Sequence, residues 1–289
     1  MATRKILVEE RSRDLGNFLV GRLLPFREKR LVGPFCFIDH MGPSQFGNGT
    51  YFDVDQHPHI GLCTLTYLIE GSITHKDSTG AEQDILPGSV NLMVSGKGVT
   101  HTERTPAAYR DGQIRTIHGY QVWIALPVSH EEVDPSFTHI AADDLPRWKE
   151  NGLEFTLVAG EGYGRKAPTP TFSPLFMVDI SSTQAAELCI NGELKGEIAI
   201  VVVKGSVTDG ETEVNQGQML ISKVADECTI TIAENSEVLL FGGEPFPEER
   251  FMFWNFISHS KELLEQAKSD WRERKFPKVL GDDTYVPLP

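Results

Sequence analysis

From Cys63 to Gly98 the chain is a series of short β-branched and aromatic runs, cut at regular intervals by glycine and proline. The run Cys63-Thr64-Leu65-Thr66-Tyr67-Leu68-Ile69 stops at Glu70-Gly71-Ser72, and Ile73 to Lys76 precedes the turn Asp77-Ser78-Thr79-Gly80. A further run ends at Leu86-Pro87-Gly88, and Val90 to Val94 is closed by Ser95-Gly96-Lys97-Gly98. Short strands at this spacing with this punctuation predict an antiparallel sandwich or barrel.

Two short polar pairs bracket that pattern, His57-Pro58-His59 before it and His101-Thr102-Glu103 after it. In extended backbone, side chains two residues apart share a face, so each pair presents two donors in one direction. Pro58 has no N–H and suits a strand start or edge. Either pair alone also fits hydrogen-bonded loop histidines or surface polarity. Both together, inside a small barrel, predict three imidazoles and one carboxylate around one ion. That donor set suits iron, manganese, copper or nickel better than calcium or magnesium.

His-x-His, Glu-Gly, Pro-Gly and a second His reproduce the double-motif layout of the cupin superfamily. Gly33-Pro34-Phe35, Asp39-His40-Met41-Gly42-Pro43, His57 to Tyr67, Glu70-Gly71, His75-Lys76-Asp77-Ser78, Gly96 to Glu103 and Gly242-Gly243-Glu244-Pro245 resemble the pirin family along nearly the whole chain. The resemblance implies an all-β bicupin, two cupin-type antiparallel barrels with a C-terminal α-helix. It also implies one mononuclear metal, iron first and copper, manganese, nickel or zinc as alternatives, held by His57, His59, His101 and Glu103. Pirins with this ligand set imply quercetin 2,3-dioxygenase-like chemistry on a flavonol or another enolisable phenol, with Glu103 as ligand and base. Other pirins imply a metal- or redox-sensing regulator that binds a transcription factor or metabolic enzyme. A catalytic site needs an apolar cavity, for which Phe37, Met93 and Trp123 are candidate walls.

The chain's 289 residues are ample for two cores. Polar and Pro-rich stretches around Val133-Asp134-Pro135 and Gly162 to Pro168 separate a metal-binding domain, 1–140, from a cupin-like domain, 141–289. Ile198 to Val207 echoes Leu65 to Ile73, and Asn215 to Leu220 echoes Leu86 to Asn91. After His139 the next and last histidine is His259, so the second copy is expected to hold no metal. From Ser258, an expected N-cap, Leu263, Leu264, Ala267 and Trp271 recur at helical spacing. This predicts a helix packed on the second barrel, followed by an extended tail.

Several neighbours of the motifs take plainer readings. Cys63 reads as a small buried hydrophobe, and Glu70 as the residue that ends a strand at Glu-Gly. His75 and His118 are candidates for hydrogen-bonded support of the site, and His40 for fixing a loop over the pocket. A formal charge of −14 argues against nucleic acid or an anionic membrane as partner. The basic stretch Arg22 to Arg30 reads as a solvated hairpin. Four cysteines without paired spacing (Cys36, Cys63, Cys189 and Cys228) indicate a reduced compartment. With no apolar signal core in Met1 to Leu7, a cytoplasmic protein is expected.

Overall fold

The computed structural model describes residues 5–15, 18–190, 192–223 and 229–289; Cys228 and the first four residues lie outside these. The described secondary structure is strand, apart from three single-turn 3-10 segments and one α-helix, Lys261–Arg272. No described helix is long and apolar enough to cross a membrane. The expected all-β architecture is present, two barrel-type modules of paired antiparallel sheets with one helix near the C-terminus.

Contacts divide the chain into two interleaved units. One comprises residues 1–11, 21–38 and 143–245; the other comprises 12–20, 39–142 and 246–289. In the second unit, a four-stranded sheet runs Asp53–His59, Val99–Arg104, Ile73–Asp77, Glu82–Ile85. A second sheet carries Ser136–Ile140, Val90–Val94, Leu62–Glu70 and Arg115–Ala125 in that order. The alternation of this sheet puts Gln121, Thr66, Asn91 and His139 in one cross-strand row, and Trp123, Thr64, Met93 and Phe137 in the next. Both rows face inward, because Thr66 and Gln121 reach Glu103, and Phe137 and Trp123 meet His75 and His59 of the other sheet.

The other unit repeats this plan. Glu197–Lys204 lies between Gln218–Lys223 and Glu237–Gly243, as Leu62–Glu70 lies between Val90–Val94 and Arg115–Ala125. Its smaller sheet runs Ala186–Cys189, Thr229–Ile232, Ser206–Thr208, Glu213–Asn215, in the order of the histidine-bearing sheet. Where that sheet pairs His57 with His101, this one pairs Ala186 with Ile232 and Leu188 with Ile230. All four of these residues belong to a continuous apolar core. Hydrophobic packing has replaced donors there.

The helix departs from expectation in two ways. Its N-cap is Ser260, whose Oγ accepts from the Leu263 N–H at 3.3 Å, and not Ser258. Ser258 Oγ donates instead to buried Glu131 Oε2 at 2.9 Å. The helix also does not serve the second barrel. Leu264, Ala267 and Trp271 pack with Ile60 and Phe256, and the segment from Phe246 to Pro289 clusters with the histidine-bearing module. Apolar spacing marks which face a helix buries but carries no information about its partner.

Close backbone approach fixes the join beneath this helix. Gly61 has φ +68°, and a Cβ there would stand 2.0 Å from the Ile257 carbonyl oxygen. Gly96, at φ +45°, would place its Cβ 1.9 Å from the Val133 carbonyl oxygen. Only glycine meets both the left-handed backbone and the missing volume.

Beyond the helix, the chain is lashed to the strand Asp53–His59 through buried Gln56. The Val279 N–H donates to Gln56 Oε1 at 2.7 Å, Gln56 Nε2 donates to the Thr284 carbonyl at 2.9 Å, and the Val286 N–H donates to the Gln56 carbonyl at 3.0 Å. Arg104 pairs with Asp282 at 2.9 Å, and Tyr285 stacks on Trp271 at 4.5 Å.

Candidate metal centre

Register assembles the site. His101 lies directly opposite His57 and Val99 opposite His59, so both histidines of the first pair and His101 project from neighbouring strands. The three are buried, and their donor nitrogens all lie within 4.8 Å of one another. His59 Nε2 and His101 Nε2 face each other at 3.1 Å. The His57–His101 and His59–His101 ring centroids are 4.3 and 4.9 Å apart.

The protonation chemistry favours coordination. His57 is held down to about 4, first by burial and then by the nearby His75, against a hydrogen bond to the Asp55 backbone. Burial and neighbouring imidazoles hold His59 and His101 well below the ordinary histidine range. Neutral imidazole is the form that ligates a metal. His57 Nδ1–H donates to the Asp55 carbonyl at 2.7 Å, which leaves the lone pair on Nε2. For His59, a hydrogen bond with the Asn255 backbone opposes the lowering by burial. Three neutral, convergent, dry imidazoles fit a transition-metal ion.

Glu103 stands outside this close group. Its Oε1 accepts from Gln121 Nε2 at 2.7 Å and from Thr66 Oγ1 at 3.4 Å. Burial pushes its carboxyl up, opposed by His75, Gln121 and Thr66. Neither Thr66 nor Gln121 was singled out from the sequence. The available signal was a polar side chain at every second position of a run otherwise fit for a core.

The remaining candidates sort by face. His75 lies beside His101, Nδ1 to Nδ1 at 3.3 Å. His118 is elsewhere, its Nε2 2.9 Å from that of His40. His40 lies in the strand Phe35–Phe46, not in a loop, and stacks on Tyr120 at 4.7 Å. Cys63 alternates with inward Thr64 and so points away from the imidazoles; burial pushes its thiol up. Glu70 is exposed at the end of its strand. Trp123 meets His59 edge to face at 5.0 Å, and Met93 shares the Trp123 row. Phe37 belongs to the other unit, where Arg22 covers its ring at 4.4 Å. Cys63 and Cys189 are free thiols.

Comparison with known proteins places this geometry. A family model described as Pirin matches residues 17–124, and one described as the pirin C-terminal cupin domain matches residues 177–277. A pirin-like protein of Caulobacter vibrioides is 43% identical over 289 residues, which is 98% of this chain and 99% of its own. A quercetin 2,3-dioxygenase from Acinetobacter baumannii, known by crystal structure, is 34% identical with a TM-score of 0.90, covering 99% of this chain and 95% of that one. A second quercetin 2,3-dioxygenase structure from that organism gives a TM-score of 0.86 at 25% identity, covering 97% and 100%. The two paired-sheet modules, one with converging histidines and one with an apolar core, are thus the halves of a bicupin, and the chain belongs to the pirin family.

Proposed function

We propose that the chain is a metal-dependent dioxygenase that opens the ring of a flavonol of the quercetin type or another enolisable phenol. The observation that carries this reading is the convergence of His57, His59 and His101 as neutral imidazoles beside a buried carboxyl whose affinity for protons is raised. The likeness to the Acinetobacter quercetin 2,3-dioxygenase supports it. His57, His59 and His101 would hold the ion, with Glu103 as fourth ligand through Oε2, the oxygen that neither Gln121 nor Thr66 engages. Iron is the first choice of metal for this donor set, with copper, manganese, nickel and zinc following. When bound, the ion supplies the Lewis acidity and redox capacity that dioxygen chemistry needs.

The chain's own residues supply proton handling and enclosure. Glu103 takes the proton of the substrate hydroxyl, a role that burial favours by raising its basicity. Gln121 and Thr66 hold the carboxylate in place while it does so. Trp123 and Met93 give the inner sheet an apolar surface for an aromatic ring. The division at 140/141 is proposed as a division of chemistry, since every candidate ligand lies in 1–140 and none in 141–289.

The test is oxygen uptake with quercetin on protein of known metal content. Uptake should track occupancy and vanish in His101→Ala along with the metal. Glu103→Gln should lower uptake at least about 100-fold while lowering metal content far less, in line with loss of a general base. Fully loaded protein without uptake for any of these metals would reject the catalytic reading in favour of a metal-dependent binding role.

A further inference from the structure

We propose that Asn91 reads the substrate: its amide Nδ2 donates a hydrogen bond to a ring oxygen of the bound phenol, remote from the hydroxyl that reacts. The inference rests on the dioxygenase reading of this barrel and narrows its substrate class to flavonols that carry further ring hydroxyls. Asn91 interrupts the strand Val90–Val94, which is otherwise valine, leucine and methionine and is buried at every position. Only 3% of Asn91 is exposed. An amide at that depth costs stability unless both of its ends are hydrogen-bonded. The sheet does not require it, because the Asn91 backbone pairs with Thr66 on one side and His139 on the other whatever the side chain.

The protein meets one end of this amide. His139 Nδ1 lies 2.7 Å from Asn91 Oδ1, and an amide oxygen only accepts, so the imidazole N–H donates. That bond fixes the amide and turns Nδ2 away from His139. Nδ2 is buried and has no hydrogen-bond partner among the described residues. Thr66, on the opposite side of Asn91, directs its hydroxyl to Glu103 and Gln121, each at 3.4 Å. The inward row Gln121, Thr66, Asn91, His139 therefore does two things along its length. Its Gln121 end holds the Glu103 carboxylate at 2.7 Å. One strand beyond Thr66, about 5 Å along the sheet, it presents a fixed N–H. A flat phenol whose reacting hydroxyl meets Glu103 can extend along this row with the rest of its ring system over Asn91. An oxygen there accepts from Nδ2, whereas a bare ring buries the donor without a partner. A buried polar group discriminates in this way between ligands of similar shape.

The test compares quercetin with 3-hydroxyflavone, which keeps the reacting hydroxyl and its neighbouring carbonyl but carries no further hydroxyl. Kd values are read by fluorescence quenching under argon on full-length protein of counted metal content. The parent should prefer quercetin. In Asn91→Leu the quercetin Kd should rise about 10-fold and the 3-hydroxyflavone Kd less than about 2-fold, so that the preference collapses. The melting temperature of ligand-free Asn91→Leu should equal or exceed that of the parent, since an unmet amide has been removed. Asn91→Asp keeps an acceptor for His139 but has no donor, and should lose the preference too. A preference retained in Asn91→Asp shows that the amide oxygen meets the ligand and overturns the assignment. So does a parent without preference, or an Asn91→Leu chain that melts several degrees lower with its preference intact. If Asn91→Leu does not fold, the same ratio in Asn91→Ala decides. Oxygen uptake with quercetin, measured in parallel, keeps the two readings apart. A parent that binds with preference and consumes no oxygen rejects the dioxygenase, and the Kd ratio still judges Asn91; uptake unaccompanied by any loss of preference in the variants rejects Asn91 alone.

Discussion

His57 shows how one side chain couples stability to pH. Its ordinary value is 6.5 and its value in the fold is about 4, with burial as the main cause. Below 6.5 the unfolded chain takes up a proton that the folded chain refuses. Stability is therefore complete above that value, falls as pH drops towards 4, and levels off below. The shift corresponds to about 3 kcal/mol for this one group. Chelator-stripped protein should lose melting temperature across that window, with His59 and His101 acting in the same direction. A melting temperature unchanged between pH 7 and 4 would contradict the buried neutral assignment. Gly61 offers a second test at this scale. Gly61→Ala forces a Cβ against the Ile257 carbonyl in a left-handed backbone, and should cost about 2 kcal/mol or more in denaturant unfolding.

At the level of elements, the sequence disclosed what repeats locally and concealed what is joined at a distance. The strands around Leu62–Glu70, and the shared face of His57 and His59, follow from alternation and turn residues alone. The pairing of Thr66 and Gln121 under Glu103 depends on register, which neither strand carries by itself. Helix placement failed for the same reason, because Leu264, Ala267 and Trp271 encode a buried stripe and not its partner. Gln56 was illegible, since its bonds run to residues 223 and 228 positions away. Gln56→Leu should leave the barrel folded but loosen the tail, exposing the chain beyond Arg274 to limited proteolysis and lowering the melting temperature by several degrees. Unchanged protease resistance would show that Trp271 and Tyr285 suffice to hold the tail.

For the molecule as a whole, the two contact units are discontinuous in sequence, and the chain passes from one to the other five times. A fragment ending at Ala142 contains all four candidate ligands yet lacks Phe246–Pro289, which belongs to the same unit. Such a fragment should neither melt cooperatively nor retain metal, while the full chain should bind one equivalent. A cooperative, metal-loaded fragment would refute that dependence. A second equivalent on the full chain would contradict the apolar replacement of the donor positions by Ala186, Leu188, Ile230 and Ile232.

The strap on Gln56 also bears on how the protein is made. When the ribosome has added Gln56, the Val279 N–H that will cap it is 223 residues from synthesis. At about 5–20 residues per second, that delay is roughly 10–45 s. The histidine strand therefore emerges, and waits in the nascent chain, without the segment that clamps its outer side. On the proposed metal reading, an ion can meet a clamped site only after translation has passed residue 286, and termination upstream of the strap yields the candidate donors without their enclosure.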